Sequence, residues 1–75
     1  TVDAERRLLR RLLELLDEAG DDTVRVTQDD LASLAGVSRA TANRRLRGEE
    51  RRGALELSRG RITVLDRARL ERRAR

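Results

Sequence analysis

The 75-residue sequence contains neither cysteine nor histidine. Without cysteine, neither a disulfide framework nor a thiolate metal site can form. Without histidine, the chain lacks the commonest general base and the commonest metal ligand. Acidic residues are plentiful, but no glycine-rich phosphate loop accompanies them. We therefore expect a chain that is not an enzyme and that holds no metal or cofactor of its own.

Phenylalanine, tyrosine, tryptophan and methionine are also absent. Bases therefore cannot stack on aromatic side chains, the usual mode of single-strand and RNA recognition. Leucine, valine, alanine and one isoleucine have to form the core, and a chain of this length buries roughly 60% of its unfolded surface. We expect a single domain over residues 1–75.

Long apolar runs are missing as well, and none approaches the roughly 20 residues of a membrane span. The first residues show no signal-peptide pattern. These two absences predict a cytoplasmic protein with no membrane partner. Because the chain begins at Thr1 rather than at Met and enters a helix almost at once, we also expect a fragment of a longer protein.

The net charge of +4 is unevenly distributed along the chain. Residues 1–37 hold five arginines and nine acidic residues, a balance of −4, whereas residues 38–75 hold thirteen arginines and five acidic residues, a balance of +8. A basic half beside an acidic half indicates a surface that faces a polyanion. The alternative is a solvated arginine and glutamate surface from a high-GC genome, which the lack of lysine favours. Charge alone leaves both readings open.

Leucines at helical spacing predict a first helix from about Asp3, its cap, to Ala19, with Gly20 ending it. The predicted apolar stripe consists of Leu8, Leu9, Leu12, Leu13, Leu15, Leu16 and Ala19. Its width favours a helix packed on a globular core. Two heptads are too few to argue for a coiled coil, although a dimerisation helix stays open as the alternative.

Two shorter helices are predicted next, after a short strand at residues 24–26. Thr27 caps the second helix in a capping-box-like pattern, and Gly36 ends it because a left-handed corner costs glycine nothing. Ser38 caps the third helix, which runs through Leu46 or as far as Arg52. The predicted buried face of the second helix comprises Leu31, Ala32, Leu34 and Ala35.

The last third of the chain predicts two strands, at residues 54–57 and 61–64, joined by a tight turn at 58–60. A last helix capped by Asp66 is expected to dock through Leu70 and to fray beyond it. The predicted fold is mainly α with a small antiparallel β-hairpin. It is a winged helix-turn-helix, with a three-helix core plus a wing.

The third helix is expected to present its outer face to double-stranded DNA, with residues 38–47 as the recognition helix in the major groove. Arginine pairs bidentately with guanine and asparagine with adenine. The predicted base-reading residues are Arg39, Ala40, Asn43 and Arg44. The alternative is that these arginines are merely solvated.

A second set of side chains is predicted to contact DNA phosphates. Hydroxyls and backbone N–H groups in the first turn of a helix favour a phosphate, and a basic wing at 58–61 suits the strand backbone. The predicted phosphate-binding residues are Thr27, Gln28, Ser38, Thr41, Arg47, Arg59 and Arg61. For the wing, an ordinary charged turn is the alternative.

The segment TQDDLASLAGVSRATANRRL, followed by RRGALELSRGRITVLD, resembles the C-terminal DNA-binding domain of the Crp/Fnr superfamily of bacterial transcription regulators. Ser38, Arg39, Thr41 and Arg44 match the recognition-helix signature of that family. The resemblance implies that the residues at positions 39 and 44 read bases, with one domain on each half of a palindromic site. Regulators of the GntR type share part of the pattern, but the wing running into VLD fits Crp/Fnr better.

The resemblance also implies an effector-sensing β-barrel domain and a long dimerisation helix, both outside this chain. The parent protein is then expected to be a homodimer that binds an effector such as a cyclic nucleotide and that contacts RNA polymerase. The isolated domain is expected to be a monomer. The effector, the operator, and activation or repression are open.

Two departures from the family pattern affect the recognition helix. Ala40 stands where family members carry glutamate, so a cytosine contact is replaced by at most a thymine methyl contact. Arg45 and Glu49 stand where the family has apolar residues, and burying both would cost more than the pair returns. We expect the helix to rotate slightly or to fray near Gly48. This charged pair motivates a second hypothesis, a helix-turn-helix protein-interaction module that has lost DNA binding.

Overall fold

The computed structural model describes residues 2–75, which form four helices and three short strands. In chain order they are α1 (Val2–Ala19), β1 (Thr23–Val24), α2 (Gln28–Ala35), α3 (Arg39–Arg51), β2 (Leu55–Ser58), β3 (Arg61–Val64) and α4 (Arg67–Ala74). The predicted winged helix-turn-helix is confirmed. The strand predicted at residues 24–26 is shorter and lies at Thr23–Val24. It joins the hairpin, so that the wing is a three-stranded antiparallel sheet in the order β1-β3-β2.

Leucines from every helix meet in one core. The buried apolar side chains include Leu8, Leu9, Leu12, Leu16, Leu31, Leu46, Leu55, Ile62 and Leu70. The stripe on α1 is narrower than predicted, because Leu13 and Leu15 are only partly buried and Ala19 is exposed. Leu34 was predicted to be buried and is 50% exposed. Spacing within one helix does not reveal which of its apolar positions find a packing partner.

The corner between α2 and α3 is built from backbone caps. Thr27 Oγ1 accepts from Asp30 N–H at 2.9 Å, and Ser38 Oγ accepts from Thr41 N–H at 3.1 Å. Gly36 has φ of 70° and, together with Val37, donates back to the end of α2. This is the hydrogen-bond pattern of a Schellman motif, in which glycine carries the left-handed residue. The caps predicted at Thr27, Gly36 and Ser38 are confirmed. The predicted cap at Asp3 is wrong, because α1 begins at Val2 and Asp3 lies inside its first turn.

Arg7 of α1 closes the same corner from the opposite side. Its Nη2 donates to Gly36 O at 3.0 Å and its Nε donates to Ala35 O at 3.4 Å. A guanidinium at a helix C-terminus satisfies carbonyls that have no partner within the helix and complements the helix dipole. The first helix therefore holds the corner in addition to filling the core.

The expectation that the last helix frays beyond Leu70 is wrong. The helix continues to Ala74, which is buried, and Arg10 Nε of α1 donates to Ala74 O at 2.7 Å. Arg67, at the other end of α4, pairs with Asp17 of α1. Both ends of α4 thus contact side chains of α1. The sequence pattern of α4 alone does not show these contacts.

The expectation that α3 frays near Gly48 is also wrong. The helix runs to Arg51, and Glu49 is fully buried. Its carboxylate lies 2.9 Å from Arg45 Nη2, 3.0 Å from Arg69 Nε and 3.9 Å from Arg73 Nε. Two of these three arginines come from α4, so the cost of burying the carboxylate is shared by cations that a single i,i+4 pair does not supply.

The neighbouring Glu50 joins α3 to the wing. Its Oε2 accepts from the backbone N–H of Leu57 at 3.0 Å, and its Oε1 accepts from Arg47 Nη1 at 2.8 Å. The Leu57 hydrogen bond, followed by that of Arg47, lowers the pKa of Glu50 below its ordinary value. Hydrogen bonds donated to the charged form favour that form.

Replacing Glu49 tests the role of the buried carboxylate. In Glu49→Gln the amide cannot balance three guanidinium groups, so we expect the free energy of unfolding to fall by about 2 kcal/mol. Urea unfolding followed by circular dichroism measures the loss. The matched control is Glu56→Gln on the exposed face of β2, for which we expect a change within about 0.5 kcal/mol. Equal stability of the two variants would contradict the assigned role.

The lowered pKa of Glu50 predicts a pH dependence with a definite sign. A carboxyl group whose folded-state pKa is depressed contributes stability that is present above its unfolded-state pKa and is lost as pH falls through the folded-state value. The stability difference between the parent chain and Glu50→Gln should therefore be constant near neutral pH and shrink in acid. Carbon-detected NMR titration should show Glu50 of the folded chain titrating below the same glutamate in an unfolded peptide of this local sequence, with the Leu57 amide shift following Glu50. A midpoint in the folded chain at or above that of the peptide would refute the assignment.

Candidate nucleic-acid interface

The outer face of α3 presents the four predicted base-reading residues together. Ala42 and Leu46 are buried and anchor the helix, which leaves the opposite side to solvent. Arg39, Ala40, Asn43 and Arg44 are all exposed, and with Gln28 and Asp29 of α2 they line one open concavity. We call this concavity and its six lining residues the recognition surface. The structure brings the predicted base-reading set together in one place.

Carboxylates accompany the arginines on and beside the recognition surface. Arg39 Nη2 lies 2.8 Å from Asp29 Oδ2, and Arg44 Nη2 lies 3.9 Å from Glu5 Oε1. These partners were not predicted. The one sequence signal for Asp29 was its place in the first turn of α2. Glu5 lies 39 positions from Arg44 in the chain, so no local pattern could have identified Glu5 as its partner.

These ion pairs do not lock the arginines in place. The Arg39 side chain is 79% exposed, and exposed pairs contribute only about 0.2–1 kcal/mol each. A bidentate contact with the correct base discriminates by about 1–3 kcal/mol. A base can therefore displace the carboxylates from these guanidinium groups.

The hydroxyls among the predicted phosphate-binding residues divide into two kinds. The Ser38 hydroxyl accepts from Thr41 N–H and donates to Thr41 Oγ1 at 2.9 Å, so it is occupied within the helix cap. Thr27 Oγ1 accepts a cap hydrogen bond, which leaves its O–H as a donor. Thr41 Oγ1 accepts from Ser38 and likewise keeps its O–H. Thr27 and Thr41 are thus the hydroxyls able to donate to a phosphate.

Gln28 and Arg47 of the predicted phosphate-binding set have side-chain partners. Gln28 Oε1 accepts from Asn43 Nδ2 at 3.3 Å, across the recognition surface. Arg47 is held by Glu50, which in turn holds the wing strand β2. Arg47 is therefore part of the connection between α3 and the wing, and a phosphate contact would have to share it.

The tip of the wing presents two free cations. Arg59 and Arg61 are exposed, and neither makes an ion pair within residues 2–75. They flank Gly60, whose φ of 70° permits the two-residue loop between β2 and β3. Arg25 was missed by the sequence reasoning. Continuing the β1–β3 register by one residue brings it level with Arg61.

Two negative findings concern the described part of the chain. None of the helices in residues 2–75 is both long and apolar enough to cross a bilayer. The same residues contain no group of three or more acidic side chains placed to hold a metal ion.

Comparison with solved structures finds close structural neighbours for nearly the whole chain. The catabolite activator protein of Thermus thermophilus superimposes with a TM-score of 0.87 and 33% identity over 97% of this chain and 34% of that protein. A protein of Eubacterium rectale described as a transcriptional regulator of the Crp/Fnr family gives 0.85 and 34% over 93% of this chain and 32% of its own. A second Thermus thermophilus protein, a transcriptional regulator of the Crp/Fnr family, gives 0.82 and 29% over 93% of this chain and 39% of its own.

The chain thus spans about a third of the length of these neighbours. No curated protein matches it. The family model for the Crp-like helix-turn-helix domain matches residues 6–73, which include every predicted site residue. The chain therefore belongs to the family of Crp-like helix-turn-helix domains, a family of DNA-binding domains of transcription regulators.

Proposed function

We propose that this chain binds double-stranded DNA sequence-specifically, with α3 in the major groove and the wing on the phosphate backbone. The observation that carries the proposal is the recognition surface, where Arg39, Ala40, Asn43 and Arg44 share one exposed face of a helix anchored by its opposite side. An α-helix fits the major groove, where each base pair presents a distinct pattern of donors and acceptors.

The recognition surface also sets the chemistry of base choice. Arg39 and Arg44 suit guanine O6 and N7, and Asn43 suits adenine. Ala40 offers only a methyl group, which suits the methyl of thymine. Once Arg39 turns to a base, Asp29 becomes an acceptor facing the groove, where it would disfavour phosphate and favour the amino group of cytosine.

For the longer protein we propose a homodimer in the cytoplasm that binds a palindromic site, with an effector bound outside this chain. A cyclic nucleotide is one such effector, and contact with RNA polymerase is part of the same proposal. The support is indirect, namely the length of the structural neighbours, of which this chain spans about a third. The 27 Å length of the domain matches about eight base pairs, which suits half of such a site.

The second candidate function is a protein-interaction module that has lost DNA binding. The observation that favours it is the pairing of Arg39, Arg44 and Arg47 with carboxylates. Random duplex DNA at low ionic strength distinguishes the two functions, because phosphate contacts release counterions and make binding strongly salt-dependent. Absence of any salt-dependent binding to that DNA would favour the interaction module.

Arg44 is the sharpest test of base reading. After selection of the preferred site from random DNA, Arg44→Ala should lose about 1–3 kcal/mol of discrimination at one base pair, which is about 5- to 150-fold. Titration of the selected site and its single-base variants measures this loss. Arg51→Ala, at the exposed C-terminal end of α3, is the control and should leave the preference unchanged. Intact preference in Arg44→Ala would contradict the role given to this residue.

Arg59 tests the wing. Arg59→Ala should weaken binding to the selected site and to unrelated DNA by the same factor, because a phosphate contact carries no sequence information. The slope of log K against log salt should fall by about 1. Binding isotherms at several salt concentrations measure both quantities. A variant that changes base preference while keeping the salt slope would show that Arg59 contacts a base instead.

A further inference from the structure

A cleft lined by arginine lies between the N-terminus of α1, the C-terminus of α4 and one side of α3. It encloses about 260 Å³ and opens to solvent. Its lining residues are Val2, Glu5, Arg6, Arg45, Arg72, Arg73 and Arg75. Five guanidinium groups thus surround a space that contains one carboxylate, and neither the recognition surface nor the wing uses it. We refer to it as the arginine cleft.

The positive charge of the arginine cleft is poorly balanced. Arg6, Arg72 and Arg75 make no ion pair with any residue in the range 2–75, whereas Arg45 and Arg73 share the buried carboxylate of Glu49, at 2.9 Å and 3.9 Å. Cations gathered at one place repel one another. An anion in the cleft would relieve that repulsion.

The arginine cleft is continuous with the recognition surface. Glu5 lines the cleft, and its carboxylate lies 3.9 Å from Arg44, which lines the recognition surface. Arg45, the next residue of α3, lines the cleft itself. A polyanion seated on the outer face of α3 would therefore extend across the edge of the cleft.

We propose that the arginine cleft binds backbone phosphates of the duplex DNA that flanks the bases contacted by α3. This inference rests on the proposed function. A guanidinium fork matches phosphate oxygens bidentately, and long arginine stems reach successive phosphates of one strand. Several separate cations in a cleft open to solvent suit a row of phosphates better than one small ion. Glu5 marks the border, where its charge keeps the strand away from Arg44 so that Arg44 can reach a base.

The test uses two double variants that remove the same charge. The cleft variant, Arg6→Gln with Arg72→Gln, removes two unpaired cations from the arginine cleft. The α3-end variant, Arg51→Gln with Arg52→Gln, removes two exposed cations from the end of α3 that are also unpaired within residues 2–75. Both variants are first compared with the parent chain by thermal unfolding. Binding is then measured on the selected site in duplexes whose left and right flanks are shortened separately, two base pairs at a time.

On the longest duplex, the cleft variant should lower the salt slope by about 2 and the affinity at 0.1 M salt by at least about tenfold, with base preference unchanged. Shortening one of the two flanks should lower the affinity of the parent chain until it equals the affinity of the cleft variant. The α3-end variant should follow the parent chain throughout. A cleft variant that binds every duplex as the parent does, or loses affinity equally on the shortest one, would overturn the proposal.

The outcomes separate this inference from the proposed function. If the parent chain binds no DNA, the proposed function itself fails. If it binds with Arg44-dependent preference and the cleft variant is unaffected, only the cleft inference fails. Pyrophosphate titrated against the arginine Nε–Hε signals in NMR provides the second arm. One result would assign the cleft to a free phosphate ligand and overturn its assignment to DNA. In that result pyrophosphate shifts the signals of Arg6 and Arg72, but replacing these residues does not change DNA binding.

Discussion

The buried carboxylate of Glu49 is the contact on which the rest of the structure depends. It sits in the second half of α3 and is surrounded by Arg45 of the same helix and by Arg69 and Arg73 of α4. A buried ion pair is weak evidence for stability, but it penalises every packing that separates the charges. Rotating α3 about its axis would separate Glu49 from Arg69 and Arg73 of α4. The cluster, together with the buried Ala42 and Leu46, thereby favours the orientation in which the opposite face of α3 points outward.

The charged surface divides into paired and unpaired arginines. Arginines on and beside the recognition surface have carboxylate neighbours, as Arg39 has in Asp29. Arg59 and Arg61 at the wing tip, and Arg6, Arg72 and Arg75 in the arginine cleft, make no ion pair within the described residues. Ion pairs that can be exchanged suit side chains that contact bases, because a contact with the wrong base does not compensate for the free energy of the ion pair that is lost. Unpaired cations suit contacts with phosphates, which are the same at every sequence.

The helix-turn-helix could be predicted almost residue by residue, and the reason is local. Thr27, Gly36 and Ser38 act on backbone groups a few positions away, so the caps and the corner were correctly predicted from the sequence. The hairpin was predictable for the same reason, since Gly60 occupies a two-residue loop. The exposed set from Arg39 to Arg44 followed from helical spacing once the buried positions were known. Apart from local boundaries such as the start of α1, the errors concern neighbours that are distant in the chain: α4 was expected to fray because the sequence does not show that Arg10, 64 positions earlier, donates to Ala74 O.

The sequence by itself determined the order of the elements, their caps, the glycine corner and the helix that bears the arginines. These features depend on hydrogen bonds and dihedral preferences among residues that are a few positions apart, so the sequence itself shows which residues interact. Only the tertiary structure decided that Glu49 would be buried, that Asp29 and Glu5 would meet Arg39 and Arg44, and that α1 and α4 would enclose an arginine cleft. Coulomb interactions and burial depend on distances in space, and packing alone brings together charges that lie far apart in the chain.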